Sequence, residues 1–506
     1  MMSARDKCRV TYWPINKNQS HTLILHIKKM DTFLQSLLLI LIPLIAFFCF
    51  FLKTKQIGTK NMPPGAFGWP LVGETYQLLF KNIENFIQER AEKHSSEIFK
   101  TNLFGEPTVV MFGPAANKFL SINESKLVKV WYMKSQCKLF NLPDQNQNQT
   151  QVGVASPPVK VLGLLKHEGI IRYMGNNNNI ESIIQKHFIT HWEGKTELKV
   201  YPLVKSFSIS LAFQFFLGTD ETHYVDKFAT KFENLFSGIY SVPMDFPGST
   251  YHRAIKGASE IRKEIQYMIK DKIEGLSKGK VMDGLLAHIV DAEKSGKYVP
   301  KIEISNTIMG LMNASYISIA TTLAFMIKHI GLSPHIYQRI ISEHADIKRS
   351  SKESGTSQLD WDSIQKLKYT WAVALESMRL YSPAPGAFRE AKTDFTYEGF
   401  TIPKGWKIFW AFIGTNKNPK YFDKPESFDP SRFEGNNVLA PYTYIPFGSG
   451  PRSCPGKDYT RLAILTFIHN LVTKFKWEVM LPDEEVSGAM IPIPTEGIPI
   501  RLHHLF

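Results

Sequence analysis

Cysteine is scarce in this chain, which has only four in 506 residues. They are Cys8, Cys49, Cys137 and Cys454. No two of them have the spacing of a zinc knuckle, an iron–sulfur cluster or a redox dithiol. The sequence therefore argues against a disulfide scaffold and against a cysteine-rich metal site, and it indicates a reducing compartment for the main body.

The sequence also lacks internal repeats and lacks basic runs interleaved with aromatic residues. Its formal net charge of +14 would suit a membrane surface, an acidic protein partner or nucleic acid. Because the lysines are scattered and no base-reading motif is present, we expect no nucleic-acid binding. The length and the 43% apolar composition predict one large folded body or two ordinary ones.

Charge is absent from residues 33–52, a run long enough to cross a bilayer as a helix of about 20 residues. No small-residue cleavage site follows it, so we predict a retained transmembrane anchor instead of a signal peptide. Residues 1–29 are predicted to be an irregular extension. Met30 lies directly before the predicted anchor, so translation could start at Met30 or at Met1, and the sequence leaves both possible. Flanking lysines weakly favour a cytosolic main body.

A basic segment rich in proline and glycine, residues 53–73, is predicted to be a hinge between the anchor and a large domain of residues 74–506. The first three hundred residues of that domain have a mainly helical pattern with short strands. Within it, residues 304–327 carry no charge. This run contains too many polar residues for lipid, so we predict a helix buried inside the domain and not a second span.

A predicted helix near residue 376 carries Glu376 and Arg379 three positions apart, on one face and able to pair. Prolines end this helix, and two hairpin-like segments follow, with turns predicted at Glu398–Gly399 and Lys404–Gly405. Arg432 then lies in a segment too rich in proline and charge for a strand interior.

The stretch IPFGSGPRSCPG, residues 445–456, surrounds one cysteine with glycines, prolines and an arginine. Proline suits the first position of a helix, so Pro455 predicts that Cys454 lies at or just before a helix start. Free N–H groups and the helix dipole there would favour the thiolate over the thiol.

Glycine in the same stretch removes side chains where a flat group must approach the backbone, at Gly448, Gly450 and Gly456. The guanidinium of Arg452 can donate two parallel hydrogen bonds to an anionic group beside the loop. A thiolate ligand, space for a flat group and an arginine that binds a carboxylate are together what a haem-binding site requires. A structural cysteine on a glycine turn would explain Cys454, but not Arg452 and the glycine spacing.

At this point the sequence resembles the cytochrome P-450 superfamily. The haem-loop pattern of that family is filled by Phe447, Gly450, Arg452, Cys454 and Gly456. The Glu-x-x-Arg pair of the family is matched by Glu376 and Arg379, and Arg432 matches the arginine that completes its charged triad. The predicted anchor and the proline–glycine segment at Pro63–Gly65 match the microsomal members.

This resemblance implies one large, mainly α fold with small β-sheets behind an N-terminal transmembrane helix. Haem would be held through iron by Cys454, in a seat formed with Phe447, Gly450 and Gly456. Arg389 would join Arg452 on the haem propionates; the list of haem contacts is then Cys454, Arg452, Arg389, Phe447, Gly450 and Gly456. Several stretches, among them residues 95–120, 388–410 and 440–459, are similar to a plant clan of pentacyclic triterpene oxidases and taxane hydroxylases.

The implied activity is a monooxygenase that inserts one oxygen atom into a C–H bond of a terpenoid or sterol-like substrate. Electrons would come from NADPH through a cytochrome P-450 reductase, and the other partners would be membrane lipid and the hydrophobic substrate. The implied location is the endoplasmic reticulum membrane, with a single span and a cytosolic catalytic domain.

The chain departs from the family pattern in two places. In the long buried helix Ile317 occupies the position of the family's acid and Ser318 that of its threonine. Ser318 keeps a hydroxyl and is the predicted catalytic residue, whereas Ile317 can carry neither charge nor a proton. Between Trp131 and Tyr173 the family's propionate-binding arginine has no clear counterpart; Lys160 is a weak substitute. Divergence, functional decay or a faulty gene model would each produce this.

Three functions therefore stay open. A membrane-bound haem-thiolate monooxygenase leads, because the cysteine loop is intact. A haem-thiolate isomerase or dehydratase that does not use O2 needs no acid–alcohol pair. A diverged, non-catalytic haem-binding relative would accommodate both departures.

Overall fold

The computed structural model describes residues 61–142, 178–279, 284–294, 301–353 and 361–505, except for positions 70–72, 220–221, 436–438 and 489, together with scattered residues elsewhere. The predicted extension 1–29 and residues 53–60 of the predicted hinge lie outside the described residues. Of the predicted anchor 33–52, only scattered residues such as Leu41 and Phe47 are described, and these are helical and exposed.

Helices make up most of the regular structure. In chain order they are α1 Thr75–Phe80, α2 Ile83–His94, α3 Gly113–Asn123, α4 Lys134–Phe140, α5 Asn178–His191, α6 Val200–Ala212, α7 Thr222–Ile239, α8 Thr250–Ser277, α9 Leu285–Lys294, α10 Lys301–Leu332, α11 Pro334–Glu353, α12 Trp361–Lys366, α13 Lys368–Leu380, α14 Ile413–Asn416 and α15 Lys457–Lys474. A π-helical turn, Phe213–Leu217, extends α6, and short 3-10 turns occupy Pro430–Phe433 and Gly450–Arg452.

Among the described residues, the strands form four small sheets. They are β1 Ile98–Leu103, β2 Glu106–Met111, β3 Val128–Val130, β4 Glu197–Lys199, β5 Ala387–Ala391, β6 Phe395–Tyr397, β7 Phe400–Ile402, β8 Lys407–Trp410, β9 Phe475–Val479, β10 Val486–Ser487, β11 Ile493–Pro494 and β12 Pro499–His504. The largest sheet has the order β1-β2-β8-β5-β3, in which only β2 and β8 run parallel. The prediction of a mainly helical fold with small sheets is confirmed.

The predicted buried helix is α10, whose 32 residues span about 48 Å. It packs against α6, α8, α13 and α15, and most of its residues from Ile304 to Ile327 are buried. By length and apolarity, α10 and the stretch Val200–Leu217 would each be long enough to cross a membrane, but 67% of the most apolar window in each is buried inside the protein. The prediction that residues 304–327 lie inside the domain is confirmed.

The described part of the proline–glycine segment is bound to the sheets. The Lys100 N–H donates to the Pro64 carbonyl at 2.7 Å, and the Thr401 N–H donates to the Asn61 carbonyl at 2.7 Å. At Gly65, with φ 121°, a Cβ would lie 2.2 Å from the Lys100 carbonyl oxygen. Residues 61–65 are therefore fixed against β1 and β7, and glycine is required for that close approach.

One of the two predicted hairpins is present. Strands β6 and β7 pair through a turn in which Glu398 and Gly399 both have positive φ, as a tight hairpin turn requires. The second prediction is wrong, because β8, which follows Lys404–Gly405, pairs with β5 and β2 and not with β7. All four β8 residues are buried, as expected for a strand that is paired on both sides.

Candidate active site

Backbone hydrogen bonds fold the cysteine loop, residues 445–456, into tight turns. The Cys454 N–H donates to the Phe447 carbonyl at 2.8 Å. Gly448 and Gly450 have φ values of 66° and 78°, which glycine adopts without strain. The loop therefore holds Cys454 in a defined place at the edge of a cavity.

Helix α15 begins at Lys457 with Gly456 as its N-cap, so the prediction that Pro455 opens the helix is wrong by two residues. Cys454 lies before the helix, and its sulfur accepts the Gly456 N–H. Cys454 is exposed at the cavity, but desolvation by the surrounding protein raises the pKa of its thiol, and the Gly456 bond lowers it by less. That the helix start favours the thiolate stays a prediction; a bound metal ion, which deprotonates a coordinating thiol, would also stabilise the thiolate.

The three glycines of the loop do not share one purpose. A Cβ at Gly450 would lie 2.7 Å from the Ser121 carbonyl oxygen of α3, so this glycine allows the loop to pack on a helix. A Cβ at Gly456 would meet only the Cys454 sulfur, at 3.7 Å. Of the three, only Gly448 borders the cavity. The interpretation that all three clear room for a flat group is wrong for Gly450, because α3 fills that side.

Two adjoining cavities meet at this loop. The cysteine cavity, of about 290 Å³, is bordered by Cys454 and Phe447 of the loop and by Ser318 and Thr322 of α10. The larger cavity, of about 520 Å³, extends from there toward α4 and the N-terminal half of α10. Four residues border both cavities: Ala314, Ala387, Arg389 and Arg452. These four residues therefore separate the cysteine cavity from the larger one, so the two cavities are neighbours.

The two arginines predicted to bind propionates lie at the junction of the cavities. Arg389, on β5, is buried and pairs with Glu124, with its Nε 2.6 Å and its Nη2 3.3 Å from the carboxylate oxygens. Arg452 is exposed at the same junction. Tyr132 also borders the larger cavity; burial raises its pKa, and the charges of both arginines lower it by less. Because Glu124 balances the charge of Arg389, Arg452 supplies the net positive charge of the junction.

Phe447 forms one wall of the cysteine cavity. Its ring lies over that of Trp371, with centroids 6.1 Å apart and planes 17° apart. The guanidinium of Arg461 lies 5.4 Å from the Trp371 ring centroid. This stack joins the cysteine loop to α13 and α15.

The catalytic candidate Ser318 borders the cysteine cavity, one turn after Ala314 on α10. Its hydroxyl donates to the Ala314 carbonyl at 2.9 Å, and the Thr322 hydroxyl donates to the Ser318 carbonyl at 2.9 Å. Ile317 is 7% exposed and belongs to the main apolar core. The acid position and the hydroxyl position therefore face different surroundings in this chain.

The predicted charge network is present behind the loop. Glu376 and Arg379 are fully buried, and Arg432 lies 3.4 Å from the same carboxylate. Arg379 also donates to the carbonyls of Asn416 and Pro425, each at 2.7 Å. These bonds tie α13 to the segment that leads into the cysteine loop.

Part of the predicted site lies outside the described residues, namely Lys160 and most of residues 143–173, where a propionate-binding arginine is expected. Sequence reasoning missed two residues: Glu124, which binds the cavity residue Arg389, and Asn306, which borders the larger cavity. Glu124 gave no signal, because its partner Arg389 is 265 positions away. Asn306 did give a signal, because it is a polar residue in an uncharged helix. From the sequence alone, that signal served only as an argument against a membrane span.

Comparison with known proteins agrees with this geometry. The Cytochrome P450 family description matches residues 178–497. A beta-amyrin 28-monooxygenase of Medicago truncatula is 42% identical over 482 residues, covering 93% of this chain and 98% of the relative. A beta-amyrin 6-beta-monooxygenase of Solanum lycopersicum is 40% identical, covering 94% of this chain and 99% of the relative.

A solved structure with the same fold is the retinoic acid bound cyanobacterial CYP120A1. It superposes with a TM-score of 0.76 and covers 88% of this chain and all of its own, at 24% identity. The family match, the identity to the two plant enzymes and the shared fold lead to one conclusion: this chain belongs to the cytochrome P450 family, whose members are haem-dependent oxidoreductases.

Proposed function

We propose that this chain is a membrane-attached haem-thiolate monooxygenase that oxidises a polycyclic terpenoid or sterol-like substrate. The observation that carries the proposal is that Cys454 and Ser318 border one cavity, which shares four wall residues with a larger one. A metal ligand, a hydroxyl and a space for a hydrophobic molecule are thereby brought together.

The residues around the cysteine cavity fit a haem group. One cysteine sulfur borders it, Gly448 leaves room beside the loop, and aromatic and aliphatic side chains form much of the wall. Arg389 and Arg452 lie at one edge, where carboxylates would need them. When bound, a haem with one thiolate ligand supplies the electron density that favours O–O cleavage.

The chain's own residues have separate tasks in this proposal. Cys454 is the metal ligand, and Arg389 and Arg452 hold the propionates, with Glu124 keeping the Arg389 side chain in place. Ser318 donates to the Ala314 carbonyl, which leaves its oxygen lone pairs able to accept from a water molecule in the cavity. Ser318 would therefore hold such a water at the point where a proton is needed.

The substrate class rests on the relatives and on the larger cavity. The relatives named above oxidise beta-amyrin at two different positions. The larger cavity is bordered mainly by apolar and aromatic residues, among them Trp131, Phe140, Leu311 and Phe388. Such a wall suits a hydrophobic ring system.

Members of this family that act as monooxygenases take their electrons from a redox partner. We propose that the donor here is an NADPH-dependent cytochrome P-450 reductase. The proposed arrangement has residues 33–52 as the anchor in the endoplasmic reticulum membrane, residues 53–73 as the connection, and residues 74–506 as the cytosolic haem-binding domain.

One observation favours a second candidate. Ile317 offers no proton-carrying group and is packed in the core, which suits an isomerase or dehydratase that does not use O2, or a relative without catalysis. The experiment that separates them measures NADPH oxidation in microsomes with a co-expressed reductase.

The same cells should also express triterpene or diterpene synthases, and their terpenoids should be profiled. We expect NADPH consumption and a product heavier by one oxygen atom, both absent in Cys454→Ser. A product of unchanged oxygen content would favour the isomerase, and haem binding without any new product would favour the non-catalytic relative.

A further inference from the structure

An arginine bridges three elements at the end of the larger cavity. Arg262, on α8, donates from Nε to the Oδ1 of Asn306 at 2.6 Å, and from Nη2 to the Leu139 carbonyl at 2.8 Å. Asn306 lies on α10, and Leu139 lies in α4. Through these two bonds Arg262 joins α8 to α10 and α4, the two helices of the three that border the larger cavity.

Among the described residues, no carboxylate forms an ion pair with Arg262. Burial lowers the pKa of its guanidinium, and no described acid opposes that effect. Neutral oxygens alone therefore receive its hydrogen bonds. Arg262 is partly buried and donates its hydrogen bonds to an amide oxygen and a backbone carbonyl. It is therefore placed to orient the Asn306 amide.

The bond from Arg262 determines which way the Asn306 amide faces. Because a guanidinium only donates, the atom that faces it must be the amide oxygen, and the amide nitrogen must point elsewhere. Asn306 is 3% exposed and borders the larger cavity. Within the described part of the chain, no hydrogen bond is found for its two amide N–H groups.

We propose that Asn306 recognises an oxygen atom that the polycyclic substrate already carries, with Arg262 as the positioning residue. This inference rests on the proposed function and narrows its substrate class to oxygen-bearing terpenoids. A buried N–H donor against pure hydrocarbon stays unpaired, which disfavours the hydrocarbon. A hydroxyl or ketone oxygen accepts the bond and removes that penalty.

The position of Asn306 also gives the substrate a direction. It lies eight residues before Ala314, which is about 12 Å along the helix axis. Ala314 borders both cavities, whereas Asn306 borders only the larger one. The recognised oxygen is therefore held at the end of the molecule away from Cys454, and oxidation occurs at the opposite end.

The test uses three ligands with one polycyclic skeleton: one with a hydroxyl, one with a ketone at the same carbon and one with neither. Each is titrated into the haem-loaded protein, and its dissociation constant is read from the change in haem absorbance. We expect the native protein to bind the two oxygenated ligands about 10- to 100-fold more tightly than the hydrocarbon. Asn306→Leu should remove that preference.

Asn306→Asp is a sharper test. Its carboxylate still accepts the hydrogen bond from Arg262, so this variant stays informative even if Asn306→Leu does not fold. A carboxylate accepts but does not donate, so this variant should keep affinity for the hydroxyl ligand and lose it for the ketone. Arg262→Met should weaken the preference and Arg262→Lys should restore part of it, which loss of structure alone would not do. Thr307→Val, the matched control on the same wall, should keep it.

Equal binding of all three ligands by the native protein overturns this inference and leaves the proposed function standing. A preference that survives in Asn306→Leu but disappears in Thr307→Val also overturns it. Failure of every ligand to bind overturns both the proposed substrate class and this inference.

Discussion

The carboxylate of Glu376 receives two hydrogen bonds from Arg379, at 2.7 and 2.8 Å, and both side chains are fully buried. The same carboxylate accepts the Asp429 N–H at 2.8 Å. Through these three hydrogen bonds the carboxylate holds α13 against the segment that precedes the cysteine loop.

Replacing Glu376 by alanine should therefore lower the free energy of unfolding by about 3–5 kcal/mol, since Arg379 would be left as an uncompensated buried charge. Denaturant unfolding and haem content would measure this, and we expect little haem-loaded protein. Glu89→Ala is the matched control: Glu89 pairs with Lys81 at the surface and should cost no more than about 1 kcal/mol. Equal losses in the two variants would contradict the prediction.

The ligand prediction concerns Cys454. Cys454→Ser should abolish the red-shifted Soret band that the reduced carbon monoxide complex shows when a thiolate is bound to haem. The control is Cys137→Ser, since Cys137 is also a free thiol but lies on α4 and does not border the cysteine cavity. That variant should keep the band; its loss there, or its persistence without Cys454, would refute the assignment.

The hydroxyl of Ser318 should matter for coupling. In Ser318→Ala no hydroxyl faces the cysteine cavity at this position, so the ratio of product formed to NADPH consumed should fall, with a loss of up to about 10²-fold in product formation. Ser318→Thr keeps the hydroxyl and should stay close to the native ratio. An unchanged ratio in the alanine variant would mean that protons arrive by another route.

Restoring the family's acid should not help this chain. From the sequence, Ile317→Asp is expected to place a carboxylate near Ser318 and raise the ratio of product to NADPH. The structure packs Ile317 in the core, so burial would raise the pKa of the new carboxyl and cost about 3 kcal/mol or more of stability. We expect a lower melting temperature and no gain in the ratio, whereas Ile317→Val should cost only about 1 kcal/mol.

A pair of histidines behind the site should make stability depend on pH. His344 and His469 face each other with their Nδ1 atoms 2.8 Å apart. Burial, and after it the charge of Lys348, lowers the pKa of His469 to about 4. Because the unfolded chain binds a proton near pH 6.5, the stability contributed by neutral His469 is complete above that pH and is lost as the pH falls toward 4.

Between pH 7 and pH 5 the native protein should thus lose on the order of 1–2 kcal/mol through His469. His469→Asn should show a smaller fall over the same range. Thermal unfolding at both pH values would measure this. A fall of the same size in the variant would assign the effect to other buried histidines, such as His187, whose pKa burial lowers to about 3.

Much of the fold and the outline of the site were predictable. An uncharged run with polar residues predicted a buried helix, and α10 is that helix. The spacing of Glu376 and Arg379 predicted a pair on one helix face, and the pair is present. Signals of this kind succeed because they depend on residues within a few turns of each other, where helix geometry relates spacing directly to contact.

Predictions failed where a distant element supplied the partner. Gly450 was interpreted as clearance for a ligand, yet Ser121 of α3 occupies that side. Strand β8 was assigned to a hairpin with its neighbour, yet it completes the large sheet. Neither α3 nor β2 can be located from the residues next to the loop or the strand.

By itself, the sequence determined the chemistry: one cysteine in a loop of glycines, an arginine beside it, and a helix that carries serine and isoleucine at the hydroxyl and acid positions. Only the tertiary structure decided that Arg389 is held by Glu124, that Ile317 faces the core while Ser318 faces the cavity, and that Arg262 turns the Asn306 amide. Those contacts join elements that are far apart in the chain. Their geometry depends on how the elements pack, and the spacing of nearby residues does not determine it.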